Sequence, residues 1–403
     1  MHLRYSTAGE SHGPALIAVV EGLPAGLRVA AEQVDAELAR RMHGHGRGAR
    51  MQIERDRIEW LGGVRAGETL GSPVAMLIRN RDWENWRDVM AAEGEPGDLR
   101  DRRVVRPRPG HADLAGVLKY DRLDARDILE RASARETAAR VAAGALARRL
   151  LAECGIEIGS HVVSLGGIAA EPPAELPWPL GAAADRSPVR VLDPRAEAAI
   201  VALIDEAKAA GDTLGGEVEI VARGLPVGLG SHVSWDRKLD GRLAAQLMSL
   251  PAVKAVGIGL GAEAARRRGS EVHDGVRAGE DRAGGVVRGT NRAGGLEGGM
   301  TTGEPLVVRI AMKPLSTLMA PLPTVDLSTW QPAVAQTERS DVTAVPALGV
   351  IAEAAVALVL ADALLEKFGG DSLGELQRNL DGYIAALGRR WSADPAFPGE
   401  PAI

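Results

Sequence analysis

Asp124-Ala125-Arg126-Asp127-Ile128-Leu129-Glu130-Arg131-Ala132-Ser133-Ala134-Arg135-Glu136-Thr137-Ala138-Ala139-Arg140-Val141-Ala142-Ala143-Gly144-Ala145-Leu146-Ala147-Arg148-Arg149-Leu150-Leu151 reads as one long helix starting near Asp124 or Asp127, ~40 Å long at 1.5 Å per residue. Ala139, Ala142, Ala143, Ala145 and Ala147 leave room for other helices to approach closely. Working outward, strands are predicted at Leu3–Thr7, Ala15–Glu21, near Met51–Trp60 and at Pro73–Ile78, with a helix at Ala31–Met42 whose Val34, Leu38 and Met42 share a face. On the other side come strands at Ile156–Leu165, Glu217–Arg223, Val253–Ile258 and Val307–Met312, and helices at Arg195–Ala210, Leu239–Leu250 and Pro346–Phe368. Pairs of strands fall between long helices instead of alternating with them. That pattern favours a layered α+β fold over a doubly wound parallel sheet. Asn80–Arg103, polar and Trp-bearing, reads as a surface excursion, and the Pro-rich end of the chain as a loose tail.

Hydrophobic residues make up 45% of the 403 and aromatics 3%, so the core must be built from Ala, Val, Leu and Ile. A net charge of −6 speaks against general nucleic-acid affinity. Six lysines stand against 42 arginines. Genomic bias explains much of that ratio, but planar guanidinium forks also suit phosphate and carboxylate, and position must decide between the two readings. A single cysteine, Cys154, excludes an intrachain disulfide and a Cys-rich metal site. The apolar stretch Ala344–Ala361 carries Glu353 at its middle and Pro346 near its start, which fits a buried core helix better than a membrane span. Met1–Tyr5 lacks a secretory pattern. The expectation is a cytoplasmic protein with no metal, no membrane and no nucleic-acid partner.

Two motifs mislead. Gly9-Glu10-Ser11-His12-Gly13 matches the G-x-S-x-G elbow of serine ester hydrolases, but only ten residues precede Ser11, too few for the strands that elbow requires. A hydrolase acting through Ser11 is the alternative to be tested. Val256-Gly257-Ile258-Gly259-Leu260-Gly261 resembles a dinucleotide fingerprint, yet Gly269 cuts off the crossover helix.

Five polar segments carry chemistry. His12, between Ser11 and Gly13 at a strand end, is placed as a proton donor. Arg40 and Arg41, with Arg47 and Arg50, flank a glycine-rich loop that reads as an anion-binding lid. In Arg106-Pro107-Arg108-Pro109-Gly110-His111-Ala112-Asp113 two prolines hold Arg108 and His111 in a preset geometry. Arg131 and Arg135 lie four apart in the long helix, where Ser133 is out of place unless it has a role, and Glu136–Arg140 and Glu130–Arg126 are expected ion pairs. Gln336-Thr337-Glu338-Arg339-Ser340-Asp341 offers an anion-binding Arg339 and a base or cap in Asp341. Together they imply a ligand with several negative charges and a proton transfer assisted by histidine.

Glu10–Gly13, Arg106–Asp113 and Glu130–Thr137 resemble the three signature segments of the chorismate synthase family, and Thr290–Met300 and Met312–Thr317 follow in the same order. The resemblance runs from Leu3 to about Asn379. It implies a layered β-α-β sandwich with long central helices flanked by antiparallel sheets, one catalytic domain over residues 1–385 with a loose tail at 386–403, and a homotetramer. It implies a lyase that eliminates phosphate from 5-enolpyruvylshikimate 3-phosphate with reduced FMN, NADPH or an external flavin reductase supplying the reducing equivalents. By the same resemblance His12 protonates the departing phosphate, His111 lies beside the flavin, and Asp341 assists proton removal. Arg41, Arg47, Arg108, Arg131, Ser133, Arg135 and Arg339 bind substrate. Arg41, Arg47, Arg131, Ala132, Ser133, Pro251, Ala252, Gly298, Lys313, Pro314, Leu315, Ser316, Thr317 and Arg339 cradle the flavin. The resemblance does not separate Arg40 from Arg41. At Pro251, where relatives often carry an amide side chain, only the backbone shape is shared.

Overall fold

The structure is a computed structural model, and it describes residues 2–48, 56–94, 102–279, 285–338 and 340–389. A four-stranded sheet orders Arg4–Ala8, Ala15–Glu21, Val74–Arg79 and Ile58–Gly62. A five-stranded sheet orders Val253–Ile258, Leu306–Met312, Gly216–Arg223, Glu157–Leu165 and Ile168–Ala169. Every pairing within these two sheets is antiparallel. The 137–152 helix packs on the first sheet and on the 345–368 helix, which in turn covers the second sheet. The expected β-α-β layering is therefore present. Val256–Ile258 closes a strand antiparallel to Leu306–Met312, and Gly259–Leu260 leads straight into a 3-10 turn at Gly261–Arg266, so no dinucleotide-binding crossover exists there.

Close helix packing rests on small residues. A Cβ added at Gly144 would lie 2.4 Å from the Cβ of Ala354, so the two central helices meet almost backbone to backbone. The 345–368 helix is long and apolar enough to cross a membrane, but 94% of its most apolar window is buried inside the protein, as a core helix would be. At its middle Glu353 is fully buried. Arg40 donates to it at 2.8 and 3.1 Å, Arg190 at 3.1 Å and Ser160 at 2.7 Å, and Arg148 also donates to it. Burial alone would push the Glu353 carboxyl up; Arg40, Arg148 and Arg190 reverse this and hold it far below the usual carboxylate range.

Three expectations need correction. The long helix is not continuous: Arg126–Ala132 ends at Ser133, whose extended backbone (φ −66, ψ 144) opens a 3-10 turn at Ala134–Glu136 before the helix resumes at Thr137–Ala152. Ser133 caps that turn by accepting from the Arg135 N–H, so Arg131 and Arg135 do not share one helical face. The Ser-x-x-Glu spacing of Ser133 and Glu136 is the signal that marks such a restart. Next, Leu373–Arg389 forms a helix that runs through the expected boundary at 385, because Leu376 and Leu380 bury against the core. Residues 390–403 lie outside the described residues. Finally, the 80–94 excursion is not merely surface, since Trp86 packs against His12. Of the strand expected at Met51–Trp60, Ile58–Gly62 is present and 51–55 lie outside the described residues.

Candidate active site

A cleft of about 410 Å³ opens between the two central helices and the loops that cross their ends. It is lined by His12, Arg41, Arg47, Arg108, His111, Ala132, Ser133, Arg135, Pro251, Ala252, Lys313, Leu315, Ser316, Thr317 and Asp341 from the expected set. Stretches 12, 41–47, 108–135, 251–252, 313–317 and 341 thus converge on one cavity. Its volume suits a small-molecule pocket, and Leu129, Ala344, Ala347 and Ile351 add apolar wall.

Each polar group is held from behind. The strand Arg4–Ala8 delivers His12 through a turn whose Ser11 N–H donates to the Glu130 carbonyl at 3.0 Å. The His12 N–H donates to Glu130 Oε2 at 2.8 Å, and its ring Nδ1 lies 2.9 Å from Oε1. Burial raises the Glu130 carboxyl, but hydrogen bonds from His12 and the nearby Arg126 outweigh it and keep it below its ordinary range. Glu130 is therefore ionised and Nδ1–H is the donor.

The Pro107–Gly110 turn works as expected. Arg108 donates to Asp113 at 2.9 and 3.2 Å and to Thr317 Oγ1 at 2.9 Å. His111 Nδ1 lies 2.5 Å from Asp113 Oδ1. Burial opposes ionisation of Asp113, but His111 and Arg108 hold it well below the carboxylate range, so it accepts from both. Gly110 adopts φ +78, and a Cβ there would lie 3.2 Å from Lys313 Nζ. Its carbonyl accepts from Lys313 Nζ at 2.7 Å and Ser316 Oγ at 2.9 Å. Burial, helped by Lys254, lowers the Lys313 ammonium below its ordinary value. Ala252 takes the left-handed conformation (φ 66), and its carbonyl accepts from the Lys313 N–H at 3.0 Å.

Arg41 donates to Thr137 Oγ1 at 2.9 Å and to the Ala134 carbonyl at 3.0 Å, and Arg135 donates to Asp56 at 3.0 Å. The glycine loop docks through the Val342 N–H, which donates to the Gly46 carbonyl at 2.8 Å; Arg47 then meets Asp341 at 3.0 Å. Arg40 turns away into the Glu353 cluster, so of the two neighbours Arg41 lines the cleft. Ser133 Oγ donates to Ser11 Oγ at 3.2 Å.

Some expected residues stand elsewhere. Arg131 points off the cleft and donates to the Thr7 and Gly9 carbonyls at 2.9 and 3.1 Å. Gly298 sits in the Leu296–Thr301 hairpin, with Met300 and His232 as its neighbours, and does not line the cleft. Pro314 lies between two lining residues without lining it. Arg339 and Arg50 lie outside the described residues. Residues the sequence reading passed over are Trp86, stacked on His12 with ring centroids 3.7 Å apart, and Asp56, behind Arg135. Nothing in their local sequence marks either; only the fold brings them there. Among the described residues no group of three or more His, Cys, Asp or Glu could hold a metal. Ser11 stands on a strand–turn–strand, not on the strand–turn–helix that a hydrolase elbow needs, and His12 turns Nδ1 to Glu130.

Fold and cleft define an α+β small-molecule enzyme whose pocket is lined with guanidinium groups and two carboxylate-anchored imidazoles. A sequence model of the family described as chorismate synthase matches residues 3–365. Similar proteins include chorismate synthases of Trichlorobacter lovleyi (58% identical over 391 residues, 96% of this chain and 99% of that one) and Acidothermus cellulolyticus (59% over 396 residues, 96% and 99%). A solved structure described as a crystal structure of chorismate synthase matches with a TM-score of 0.77 and 42% identity, covering 96% of this chain and 99% of that one. The chain belongs to the chorismate synthase family, lyases of the shikimate pathway that eliminate phosphate.

Proposed function

We propose that this enzyme catalyses the anti-1,4-elimination of phosphate and the C6 proton from 5-enolpyruvylshikimate 3-phosphate, giving chorismate, the last step of the shikimate pathway. The observation that carries this reading is the meeting of Arg41, Arg47, Arg108, Arg135 and Lys313 around one cavity beside His12 and His111. A phosphate and two carboxylates need such a field, because each charge-assisted pair offsets the loss of hydration. His12 donates a proton to the departing phosphate. Asp341, fixed by Arg47, assists removal of the substrate proton, and Ser133 and Arg339 complete the substrate contacts.

The cleft also fits reduced FMN. Apolar Ala132, Pro251, Ala252 and Leu315 offer a wall for a flat ring system, and Lys313, Ser316 and Thr317 offer donors beside it. Bound there, the reduced flavin supplies the electron chemistry of an elimination that is redox-neutral overall. Arg41, Arg47, Arg131, Ser133, Gly298, Pro314 and Arg339 complete the proposed cradle; of the described ones, Arg131, Gly298 and Pro314 do not line the cleft of the single chain. His111, anchored by Asp113 and lining the same cleft, would stand beside the cofactor and stabilise its reduced form. The enzyme works as a cytoplasmic homotetramer, with its flavin reduced at the expense of NADPH, directly or by a separate reductase.

The test is anaerobic. Purified protein is mixed with reduced FMN and substrate, and chorismate and free phosphate are followed together. Equal yields of both, absent with oxidised FMN, support the assignment; no turnover under reducing conditions overturns it.

A further inference from the structure

We propose that Glu130 and Trp86 are positioning residues for His12: the Glu130 carboxylate keeps a proton on Nδ1, so that Nε2 is the nitrogen exchanging a proton with the leaving phosphate, and the Trp86 indole fixes the plane of the ring. The inference deepens the function proposed above and rests on His12 as the proton donor.

Glu130 grips His12 twice. Its Oε2 accepts the His12 N–H at 2.8 Å, and its Oε1 accepts Nδ1–H at 2.9 Å and an Arg126 N–H at 2.8 Å. The backbone turn and the ring are thus set by one carboxylate that is almost fully buried. A carboxylate accepts only, so the neutral ring left after proton transfer keeps its hydrogen on Nδ1 and its lone pair on Nε2. In the step itself the Nε2–H bond breaks and an O–H bond forms on phosphate. The C–O bonding pair leaves with the phosphate oxygen, the pair released from C6–H as that proton is removed supplies the new π bond, and the pair from Nε2–H stays on nitrogen. Solvent returns the proton after release.

Trp86 limits rotation of the same ring. The His12 and Trp86 centroids are 3.7 Å apart with planes 26° from parallel. The indole N–H donates to Asp82 Oδ2 at 2.9 Å, and the guanidinium carbons of Arg102 and Arg126 lie 4.5 and 5.2 Å from the indole centroid. Arg126 therefore touches both arms of the bracket, and Glu338 lies 3.9 Å behind it.

The break at Ser133 makes this possible. Ending the helix at Ala132 leaves the Glu130 carbonyl to accept the Ser11 N–H, which docks the histidine turn directly over its carboxylate.

The experiment is single-turnover phosphate release by the full chain with reduced FMN, read together with substrate affinity, for H12A, E130Q, W86A, W86F and the double variants H12A/E130Q and H12A/W86A. In E130Q one oxygen becomes an amide N–H2, which must face either the Arg126 donor or a His12 donor. The single-turnover rate is expected to fall about 100-fold with substrate affinity within about 3-fold, the size of a lost general-acid contribution. W86A is expected to lose about 10-fold and W86F to recover most of it, since a phenyl ring still stacks. Both double variants should be no slower than H12A alone, because residues acting through His12 have nothing to act on once it is gone.

Additive losses in the double variants, or an unchanged rate in E130Q and W86A, would overturn the positioning role while leaving His12 as the acid. An unchanged rate in H12A would instead remove the proton-donor reading itself. Should E130Q fail to fold, the W86A cycle decides alone.

Discussion

Arg40 and Arg41 are chain neighbours on one helix, about 100° apart around its axis, and they serve opposite ends. Arg40 joins a cluster gathered on the fully buried Glu353, in which Arg40, Arg148 and Arg190 face Glu353, Asp185 and Glu37. Arg41 joins an open one, where Arg41, Arg47, Arg108 and Arg135 are steadied by Asp56, Asp341 and Asp113 yet still line a cavity. The chemistry is the same and the difference is arrangement: three guanidinium groups share one fully buried carboxylate in the first cluster, and in the second each guanidinium lines the cleft. Charges that close on each other stabilise or specify the fold; charges steadied from behind and turned to a cleft can meet a ligand. Removing one partner from a closed cluster leaves a buried charge uncompensated, whereas removing one arm of an open cluster mainly costs the ligand.

The largest effect should therefore come from the interior. Glu353→Ala takes from three guanidinium groups the one fully buried carboxylate they share, and is expected to cost about 3–5 kcal/mol of folding free energy, the usual penalty for breaking a buried ion pair. Molecules that remain folded should keep their substrate affinity within about 3-fold. Urea unfolding checks the first claim and equilibrium binding the second. A cost below about 1 kcal/mol would show that water or neighbouring carboxylates already satisfy the arginines, and the contrast would fail.

Arg47→Gln probes the other side. A lost charge-assisted contact is worth about 1.5–3 kcal/mol, so substrate should bind roughly 10- to 150-fold more weakly, while stability falls by less than in Glu353→Ala, because Asp341 keeps the Gly48 N–H as a donor. Titration calorimetry with the phosphorylated substrate against urea melts of the same sample separates the two. A stability loss that exceeds the binding loss would place Arg47 with Arg40 instead.

How far this contrast was legible in the sequence depends on which residues one asks about. Strand and helix positions followed from periodicity, and Ala31–Met42 and Val253–Ile258 were placed to the residue. Arg108, His111 and Asp113 were legible because two prolines and a glycine fix their geometry locally. Arg40 and Arg41 were not separable, since their environments are made by segments 93 to 313 positions away in the chain. Ser133 was seen as out of place, but the helix break it causes was missed although its Ser-x-x-Glu spacing signals a cap. Trp86 carried no signal, because stacking on His12 is a consequence of the sheet turning the chain back and not of any local pattern.

Acid titration sharpens the comparison further. Glu353, Asp113 and Glu130 are all held below the ordinary carboxylate range in the fold. The unfolded chain takes up those protons near pH 4, so their stabilisation is complete above that range and is lost as pH falls towards the depressed native values. Stability of the wild type should drop steeply below about pH 4. In Glu353→Ala the same curve should be lower but shallower, because one such proton no longer differs between the two states. Parallel curves would mean that the interior cluster is not what acid breaks.

The smallest effect is that of salt. The Debye length shortens from about 10 Å at 0.1 M to about 3 Å at 1 M, so charges that solvent can reach are screened and charges sealed in the interior are not. Substrate association should weaken by roughly 3-fold for each unit of ligand charge whose attraction is screened between those conditions. The stability difference between wild type and Glu353→Ala should move by less than about 0.5 kcal/mol over the same range, since no ion reaches Glu353. Binding measured at both salt concentrations, beside urea melts of the pair, gives the two numbers. If they shift together, salt reaches Glu353 as readily as the cleft, and the distinction between a charge that holds the fold and a charge that awaits a ligand fails.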